Sequence, residues 1–552
     1  MGFVASMPPQ GHHVRHCGRV DLDRVLRSCL QEGAEERGNS SATPGIVMVA
    51  GTNEVGAVHA IGSAVIEYDI PLTTDTPMYA ASLAKLVTGL CAHRLVSTGQ
   101  LDLDEPIGRW FPTLVAGDHI TVRHLLMHRS GLPEYHALRL LGGYGVEDRL
   151  VADDVRRMVD RMSPWFEAGS KVSYNNTNYA LAAMIVADVS GEPFAAAARR
   201  LVFEPAGMSG ATVRADPAAS IEGMAAGYFG RTGAWRRALQ GVASVGDGGM
   251  WWSGNDLLAL GRALLAPGLP TATGESDRCI EALTERRPLL DGSLPALATG
   301  CSVSADSSWF GGLAEFAGFR AELRVYPDLG VAIGAMSNRQ DARLSTLLDA
   351  AATELGAPFH SPSAPVGLRG GQLPRGVLVG LGGAPWKFDQ HSDADRPEVR
   401  SRVVVGDLTF HLREGDGGWQ VVERPSTVVG WDGSDLVVRD DVDELARLQA
   451  IGGAAPSAAV VRSLAGWWWC EAASAALRVV QGAAGAELHR GQAAPELLVP
   501  VGDREGRWVL AAPWGLLEFD HDGRTGRVVL HRAEGIVLQR MHLTTAVGHR
   551  PG

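Results

Sequence analysis

The sequence predicts an α+β domain, in which an antiparallel sheet is flanked by helices, followed by two small antiparallel β-barrel domains. Apolar runs of strand length lie within 46–64 and 321–336, and helical patterns dominate between them. After residue 372, short alternating runs are separated by Gly- and Asp-rich turns, which is typical of all-β domains. The 552 residues also exceed what one hydrophobic core usually organises.

The elements of the first domain follow from the spacing of apolar residues and from turn signals. In chain order we predict a helix at 21–36, a hairpin of runs 46–50 and 55–64, helices at 82–98, 122–127, 153–162, 179–189 and 256–265, strands at 321–326 and 331–336, and a helix at 342–355. The helix at 82–98 carries an apolar stripe and ends at Gly99. It is therefore expected to be buried, with Ser82 in its first turn.

Changes of composition predict the domain boundaries. Pro, Ser and Gly accumulate just after residue 360, and a Gly- and Pro-containing turn at 452–457 divides the remainder into two stretches of similar size. We therefore predict a disordered tail at 1–20, the α+β domain at 21–358, a linker at 359–372, and barrel domains at 373–456 and 457–552.

Composition excludes several classes of function. The formal net charge of −12, without clustered positive charge, argues against nucleic-acid or anionic-membrane binding. The six cysteines are scattered and lack metal-ligand spacing, so we expect free thiols, no metal and no cofactor. Neither a secretory signal nor a membrane-spanning run is recognisable, which favours a cytoplasmic location.

The first candidate for chemistry is Ser82-Leu83-Ala84-Lys85. Only three of the 50 basic residues are lysines, and one of them is Lys85. A desolvated lysine can lose its proton and accept one from a hydroxyl, whereas arginine cannot. Residues i and i+3 share a helix face, so the amine can reach the Ser82 hydroxyl. By itself the pattern also fits a helix-capping serine followed by a surface lysine.

The second candidate is the segment 173–179, which leads into a predicted helix. Tyr174 held near a lysine could act as a base and return the proton to a leaving group. Asn176, two residues on, would face the same side of an extended segment and could bind a substrate amide. The alternative is that Asn176 or Asn178 caps the helix and that Tyr174 is half-buried in the core.

Together, these segments resemble a known superfamily. The stretches 82–85, 120–133, 166–179 and 205–208 occur in the order found in penicillin-recognising serine hydrolases, which include class C β-lactamases, D,D-peptidases, D-aminopeptidases and related esterases. The resemblance covers roughly residues 40 to 355. The two predicted β domains, with local similarity at 129–138 and 246–249, make the chain most similar to the bacterial D-aminopeptidase group. That group implies eight-stranded, lipocalin-like barrels, the last of which sends a loop toward the active site.

The resemblance implies roles for individual residues. Ser82 would be the acylated nucleophile, Lys85 its proton acceptor or electrostatic partner, and Tyr174 the general base and acid. Asn176 would bind the substrate amide. Two backbone N–H groups, one of Ser82 and one of the strand that carries the third motif, would form the oxyanion hole.

The third motif departs from the family pattern, which is Lys-Thr-Gly or His-x-Gly before Gly318-Phe319. One register places Gly312-Leu313-Ala314 at the motif, and the other places Phe310-Gly311-Gly312 there, which resembles a Trp-Gly-Gly variant of esterase relatives. Both lack the cation that usually binds a substrate carboxylate. Glu315 and Arg320 are substitutes to consider, with Glu315 placed to meet an ammonium, although solvent-facing charges at a strand edge are the preferred interpretation.

These observations predict an enzyme, a serine hydrolase or acyltransferase that acts through a Ser82 acyl-enzyme on an amide or ester of a small molecule or peptide. The acyl side could carry a D-amino acid. One alternative is a thioesterase or macrocyclase, or a transacylase, that releases a carrier-bound peptide. Another is a degenerate binding module that keeps only the fold.

Overall fold

A computed structural model describes residues 21–35 and 43–357, apart from 161, 231–233, 244, 271–276, 290–291 and 305. Farther along, it describes strands between 376 and 540, together with 457–465, 485, 493, 521 and 524. The predicted tail at 1–20, the linker at 359–372 and most of the turn at 452–457 lie outside the described residues.

The helices of the first part of the chain are α1 (Leu22–Glu35), α2 (Ala84–Ser97), α3 (Val122–Leu126), α4 (Tyr135–Leu141), α5 (Ala152–Val159), α6 (Asn176–Ser190), α7 (Phe194–Ala198), α8 (Glu204–Ala206), α9 (Gly254–Ala263), α10 (Cys279–Leu283) and α11 (Leu344–Glu354). The strands are β1 (Ile46–Gly51), β2 (Gly56–Ile61), β3 (Ser63–Val65), β4 (Ile70–Pro71), β5 (Met78–Tyr79), β6 (Leu150–Val151), β7 (Thr212–Val213), β8 (Tyr228–Phe229), β9 (Arg236–Arg237), β10 (Val242–Ala243), β11 (Met250–Trp252), β12 (Ser302–Val303), β13 (Phe310–Phe316), β14 (Phe319–Tyr326) and β15 (Val331–Ser337).

Six strands form one antiparallel sheet in the order β12-β13-β14-β15-β1-β2. The predicted hairpin is its β1–β2 edge, where Gly51 pairs with Gly56. The central strands β1 and β15 are buried throughout, and the sheet thus brings the N-terminal hairpin against strands almost 300 residues later in the chain. The predicted α+β arrangement of an antiparallel sheet with flanking helices is confirmed.

Helices cover both faces of this sheet. On one face, α1 buries Leu22, Val25, Leu26 and Cys29, which repeat at helical spacing, against α11 and the sheet. On the other face lie α2, α6 and α9. Helix α2 is buried on every side from Ala84 to His93, because α6 and α10 pack against it as well. A polar side chain on α2 must therefore find its partners inside the protein.

The C-terminal strands pair in two groups of eight. The first group is β16 (Gly376–Gly380), β17 (Pro385–Gln390), β18 (Val399–Val405), β19 (Leu408–Gly415), β20 (Gly418–Val421), β21 (Arg424–Asp432), β22 (Asp435–Arg439) and β23 (Glu444–Gln449). After α12 (Ala458–Ser463), the second is β24 (Gly466–Cys470), β25 (Ala475–Gln481), β26 (Ala486–Arg490), β27 (Glu496–Arg504), β28 (Arg507–Ala512), β29 (Gly515–Asp520), β30 (Thr525–Leu530) and β31 (Ala533–Arg540). In each group, neighbours in sequence pair and the last strand pairs with the first.

The described part of the chain contains no single helix that combines the length and the apolar character needed to cross a membrane. The sharply bent pair Asn176–Ser190 and Phe194–Ala206 meets both criteria when its two helices are taken together. Most of α6 is buried inside the first domain, as expected for a core helix.

Candidate active site

Ser82 lies in a short 3₁₀ turn, Ala81–Leu83, that runs directly into α2. The sequence predicted the first turn of the α-helix itself, so the structure moves Ser82 just ahead of it. Ala81 adopts a left-handed conformation with φ of 46°, which is unusual for a residue other than glycine. The turn packs against β13. Ser82 is thus held between the N-terminus of a helix and a strand of the main sheet.

Lys85, one turn after Ser82, is buried, with 4% of its surface exposed. Its Nζ donates to Ser82 Oγ at 3.0 Å, to Asn176 Oδ1 at 2.8 Å and to the Asp247 carbonyl at 2.9 Å. An ammonium has three N–H donors, and each of them has an acceptor here. The amine is therefore fixed beside the serine hydroxyl by groups from α6 and from the loop before β11.

Tyr174 is brought to Ser82 by the segment that precedes α6. Its hydroxyl donates to Ser82 Oγ at 2.8 Å. The ring stacks on His128, with centroids 4.5 Å apart, and Lys85 Nζ lies 4.9 Å from the Tyr174 ring centroid. His128 Nδ1 accepts from the Asn175 N–H at 3.0 Å, which ties the segment down. Ser82 Oγ therefore contacts both the Lys85 amine and the Tyr174 phenol.

Asn176 is the first residue of α6, and the helix-capping residue is Asn175, whose side chain accepts from the Thr177 N–H. The sequence left open that Asn176 or Asn178 caps this helix, but Asn175 caps it instead. Asn176 Oδ1 faces Lys85, and its Nδ2 donates to Glu134 Oε1 at 3.1 Å. Asn178 Oδ1 accepts from Ser130 Oγ at 2.5 Å.

Sequence reasoning assigned no role to Glu134, Tyr135 or Asp247. Glu134 caps α4 by accepting from the Ala137 N–H, and burial raises the pKa of its carboxyl to about 7. Tyr135 donates its hydroxyl to Asp247 Oδ2 at 2.7 Å. The three residues lie in the stretches 129–138 and 246–249, whose family similarity was the one available signal. No spacing rule connects them with Ser82, because the contacts join positions far apart in sequence.

A cleft beside Ser82 encloses about 380 Å³, including space open to solvent. Gly311, Gly312 and Leu313 of β13 line one wall, and residues 297–298 and 300–302 contribute another. A Cβ on Gly311 would lie 1.9 Å from the Leu323 carbonyl oxygen, so this position admits only glycine. Gly311 and Gly312 face the cleft whichever register of the third motif applies.

The lining of the cleft combines polar and apolar side chains and carries few charged ones. Among the described residues that line it there is no Asp, Glu or Arg, and the Lys85 ammonium is already engaged by three acceptors. Leu313 exposes 52% of its surface at the mouth. The described wall therefore offers no free charge to a substrate carboxylate or ammonium.

Glu315 and Arg320 lie elsewhere. They are opposite each other on β13 and β14, with Arg320 Nη2 3.3 Å from Glu315 Oε2. Arg320 also donates to the Ala342 carbonyl at 2.7 Å, and Gln340 donates to Glu315. Neither residue is among those lining the cleft. They pair at the closed end of the hairpin, which their proximity to the third motif in sequence did not reveal.

Within the described residues, no group of three or more His, Cys, Asp or Glu side chains is arranged to hold a metal ion. The chemistry that the described residues themselves offer centres on Ser82. Ser82 Oγ can attack a carbonyl when its proton passes to Tyr174 or Lys85. The backbone N–H groups ahead of α2 provide positive partial charge for the oxyanion that forms.

A family model described as Beta-lactamase matches residues 26–357. Among curated proteins, Penicillin-binding protein 4* of Bacillus subtilis (strain 168) is 31% identical over 185 residues, which span 33% of this chain and 41% of that protein. A D-aminopeptidase of Gluconobacter oxydans (strain 621H) is 26% identical over 398 residues, 69% of this chain and 74% of the relative. Esterase EstB of Burkholderia gladioli is 33% identical over 202 residues, 34% of this chain and 49% of the relative.

Among solved structures, the D-amino acid amidase from Ochrobactrum anthropi SV3, complexed with L-phenylalanine amide, superposes with a TM-score of 0.51 at 23% identity. The match covers 62% of this chain and 100% of the amidase chain. At this level of identity, the likeness concerns the fold alone.

Proposed function

The chain belongs to the Beta-lactamase family, and we propose that it is a serine hydrolase or acyltransferase that forms an acyl-enzyme on Ser82 from an amide or an ester. One observation carries the proposal: Ser82 Oγ lies 3.0 Å from Lys85 Nζ and 2.8 Å from the Tyr174 hydroxyl, at a helix N-terminus that faces an open cleft. A serine placed only to cap α2 would need neither partner.

In the proposed reaction, Tyr174 acts as a phenolate stabilised by the neighbouring Lys85 ammonium. The Tyr174–Ser82 hydrogen bond then runs in the opposite direction, with Ser82 donating, and the proton passes to Tyr174 as Oγ bonds to the substrate carbonyl carbon. The oxyanion accepts from backbone N–H groups of Ser82 and of β13. Tyr174 returns the proton to the departing amine or alcohol, and water or another nucleophile then releases the acyl group.

The described lining of the cleft has no Asp, Glu or Arg, and this favours an uncharged acyl group next to the scissile bond. A buried charge without a partner is costly, so a substrate carboxylate or ammonium at this wall would lose hydration without compensation. Penicillins, which carry a carboxylate, are therefore poor candidates. The proposed substrates include those with a D-amino acid on the acyl side, which the D-aminopeptidase relative supports. They also include esters, which the esterase relative supports.

Two alternatives make different predictions. A thioesterase or macrocyclase would accept carrier-bound or thioester substrates and release rings, whereas a hydrolase releases acids. A degenerate binding module would form no covalent adduct, but the three acceptors that hold the Lys85 amine beside Ser82 oppose it. We also propose that each group of eight C-terminal strands is a separate β-barrel domain, at 373–456 and 457–552, because the last strand of each group pairs with its first.

The proposal is tested by covalent labelling of the full chain with a fluorophosphonate and with a panel of D-aminoacyl amides, acyl esters and peptidyl thioesters. Intact-mass spectrometry should show an adduct that maps to Ser82 and is absent in Ser82→Ala. Ser302→Ala is the matched control, because Ser302 lines the same cleft from β12, and it should label normally. Equal labelling of the wild type and Ser82→Ala would refute the proposal.

A further inference from the structure

Glu134 ends a chain of hydrogen bonds that begins at Ser82. Lys85 Nζ contacts Ser82 Oγ at 3.0 Å and Asn176 Oδ1 at 2.8 Å, and Asn176 Nδ2 contacts Glu134 Oε1 at 3.1 Å. Helices α2 and α6 and the start of α4 each contribute one member. Glu134 therefore touches neither Ser82 nor the cleft, but it is two hydrogen bonds from the amine beside Ser82.

The orientation of the Asn176 carboxamide matters because its two ends have opposite roles. The oxygen can accept from the Lys85 ammonium, whereas the NH₂ group can only donate and would be repelled by it. A carboxylate is an acceptor without donors. An ionised Glu134 thus binds the NH₂ end and leaves the oxygen facing Lys85.

We propose that Glu134 is a positioning residue whose ionised carboxylate fixes the Asn176 carboxamide against Lys85, and that its protonation releases this arrangement and slows acylation of Ser82. The proposal rests on the proposed function of Ser82. Through Glu134, which is not one of the reacting groups, pH controls the rate at which Ser82 is acylated.

The surroundings of Glu134 place its titration near neutrality. Burial raises the pKa to about 7, and the Asp247 carboxylate, from the loop before β11, acts in the same direction. The hydrogen bonds from the Ala137 N–H and Asn176 Nδ2, and the Lys85 ammonium on α2, act in the opposite direction. On the same helix, burial lowers the pKa of His136 to about 3, so that imidazole is neutral.

Protonation changes Glu134 from an acceptor into a donor. The Oε2 atom stays engaged by the Ala137 N–H, and a proton on Oε1 would meet the NH₂ end of Asn176. Rotation of the carboxamide relieves that contact by presenting its oxygen to Glu134, but it then turns the NH₂ group toward the Lys85 ammonium. Lys85 loses one of its three acceptors, so its position beside Ser82 Oγ is held less firmly.

The test is the rate of acylation by an activated ester, measured with the full chain from about pH 5.5 to about pH 9. The wild-type rate should rise about ten- to hundredfold through an inflection near neutral pH, the usual effect of losing a hydrogen bond to a charged group. Glu134→Gln can keep the cap on Ala137 only by pointing its NH₂ group at Asn176, so it mimics the protonated acid. It should stay at the low rate and lack the inflection.

Glu134→Asp supplies the second variant, and circular dichroism verifies that both variants fold. Aspartate is a good helix cap and retains the charge, and its shorter side chain admits water, so the inflection should persist and move to lower pH. Wild-type rates and an unchanged inflection in Glu134→Gln would overturn the proposal, as would an unmoved inflection in Glu134→Asp. Ser82→Ala separates the two proposals, because failure of the proposed function leaves labelling in that variant, whereas failure of the Glu134 proposal does not.

Discussion

The two sides of the cleft beside Ser82 differ in the chemical groups that they present. On one side, which we call the base side, Lys85 donates to Asn176 and to the Asp247 carbonyl, Asn176 donates to Glu134, and Tyr174 donates to Ser82. On the other, the strand side, Gly311, Gly312 and Leu313 of β13 present backbone and an aliphatic side chain. The side chains of the base side determine which reaction can occur at Ser82. The shape and polarity of the strand side determine which acyl group can bind.

The two sides also differ in how the chain assembles them. Lys85, Glu134 and Asn176 each lie at or next to the start of a helix, so three helix N-termini meet at the base side. The strand side comes from one edge region of the sheet, where β12 covers Gly311 but extends no farther along β13. The base side depends on which side chains are present, whereas the strand side depends on glycines, which have no side chain.

The largest effect is expected on the base side, from Tyr174→Phe. The substitution removes the hydroxyl that contacts Ser82 but keeps the ring that stacks on His128, so acylation should fall by about 10²–10⁴-fold with little change in stability. Tyr179→Phe is the matched control. It removes a hydrogen bond to the Leu126 carbonyl and should cost about 1–3 kcal/mol of stability while acylation persists. Comparable rate losses in both variants would show that the loss is not specific to the Tyr174 hydroxyl, and would contradict its role as the base.

An intermediate effect is expected on the strand side, from Leu313→Lys. A lysine at this half-exposed position would supply the missing cation. For esters with a carboxylate on the acyl side, kcat/KM should therefore rise about two- to fivefold relative to neutral esters, which is the usual effect of an exposed ion pair. The gain should decrease with salt. Leu294→Lys is the matched control, since Leu294 is 49% exposed but does not line the cleft. An equal change in both variants would contradict a specific role for Leu313.

The smallest effect is expected from Glu315→Gln. Glu315 pairs with Arg320 outside both sides of the cleft, so kcat/KM for aminoacyl amides should stay within about twofold and stability should change by less than about 1 kcal/mol. Steady-state kinetics and urea unfolding measure the two quantities. A marked rise in KM confined to substrates with a free ammonium would restore the role for Glu315 that the sequence suggested.

The sequence predicted the base side better than the strand side. Ser82 and Lys85 share a helical turn, and Tyr174 and Asn176 share a short segment, so local spacing carries this information. Glu134 and Asp247 escape such reasoning because their contacts with Asn176 and Lys85 depend on how α2, α4, α6 and the loop before β11 pack together. The register of the third motif stayed open because consecutive glycines leave no side chain to distinguish the alternatives.

The same division holds for the fold. The hairpin at 46–64, the buried helix after Ser82 and the strands at 321–336 agree with their apolar patterns, because burial of one face or of a whole element leaves a periodic signal. Strand β13 carries two glycines and alternates poorly, and periodicity alone did not identify it. The alternating runs after residue 372 agree with the strands found there, while their division into two barrel domains stays a prediction.

The left-handed backbone of Ala81 affects how constant the position of Ser82 stays. An alanine in this conformation costs about 1–2 kcal/mol, a strain that glycine would avoid. Glycine, however, would open several backbone conformations to the residue just before Ser82. With alanine, the turn has few alternatives once β13 and α2 have packed around it, so the nucleophile keeps one position through repeated turnovers. Part of the folding free energy is thereby stored as backbone strain next to the reacting atom.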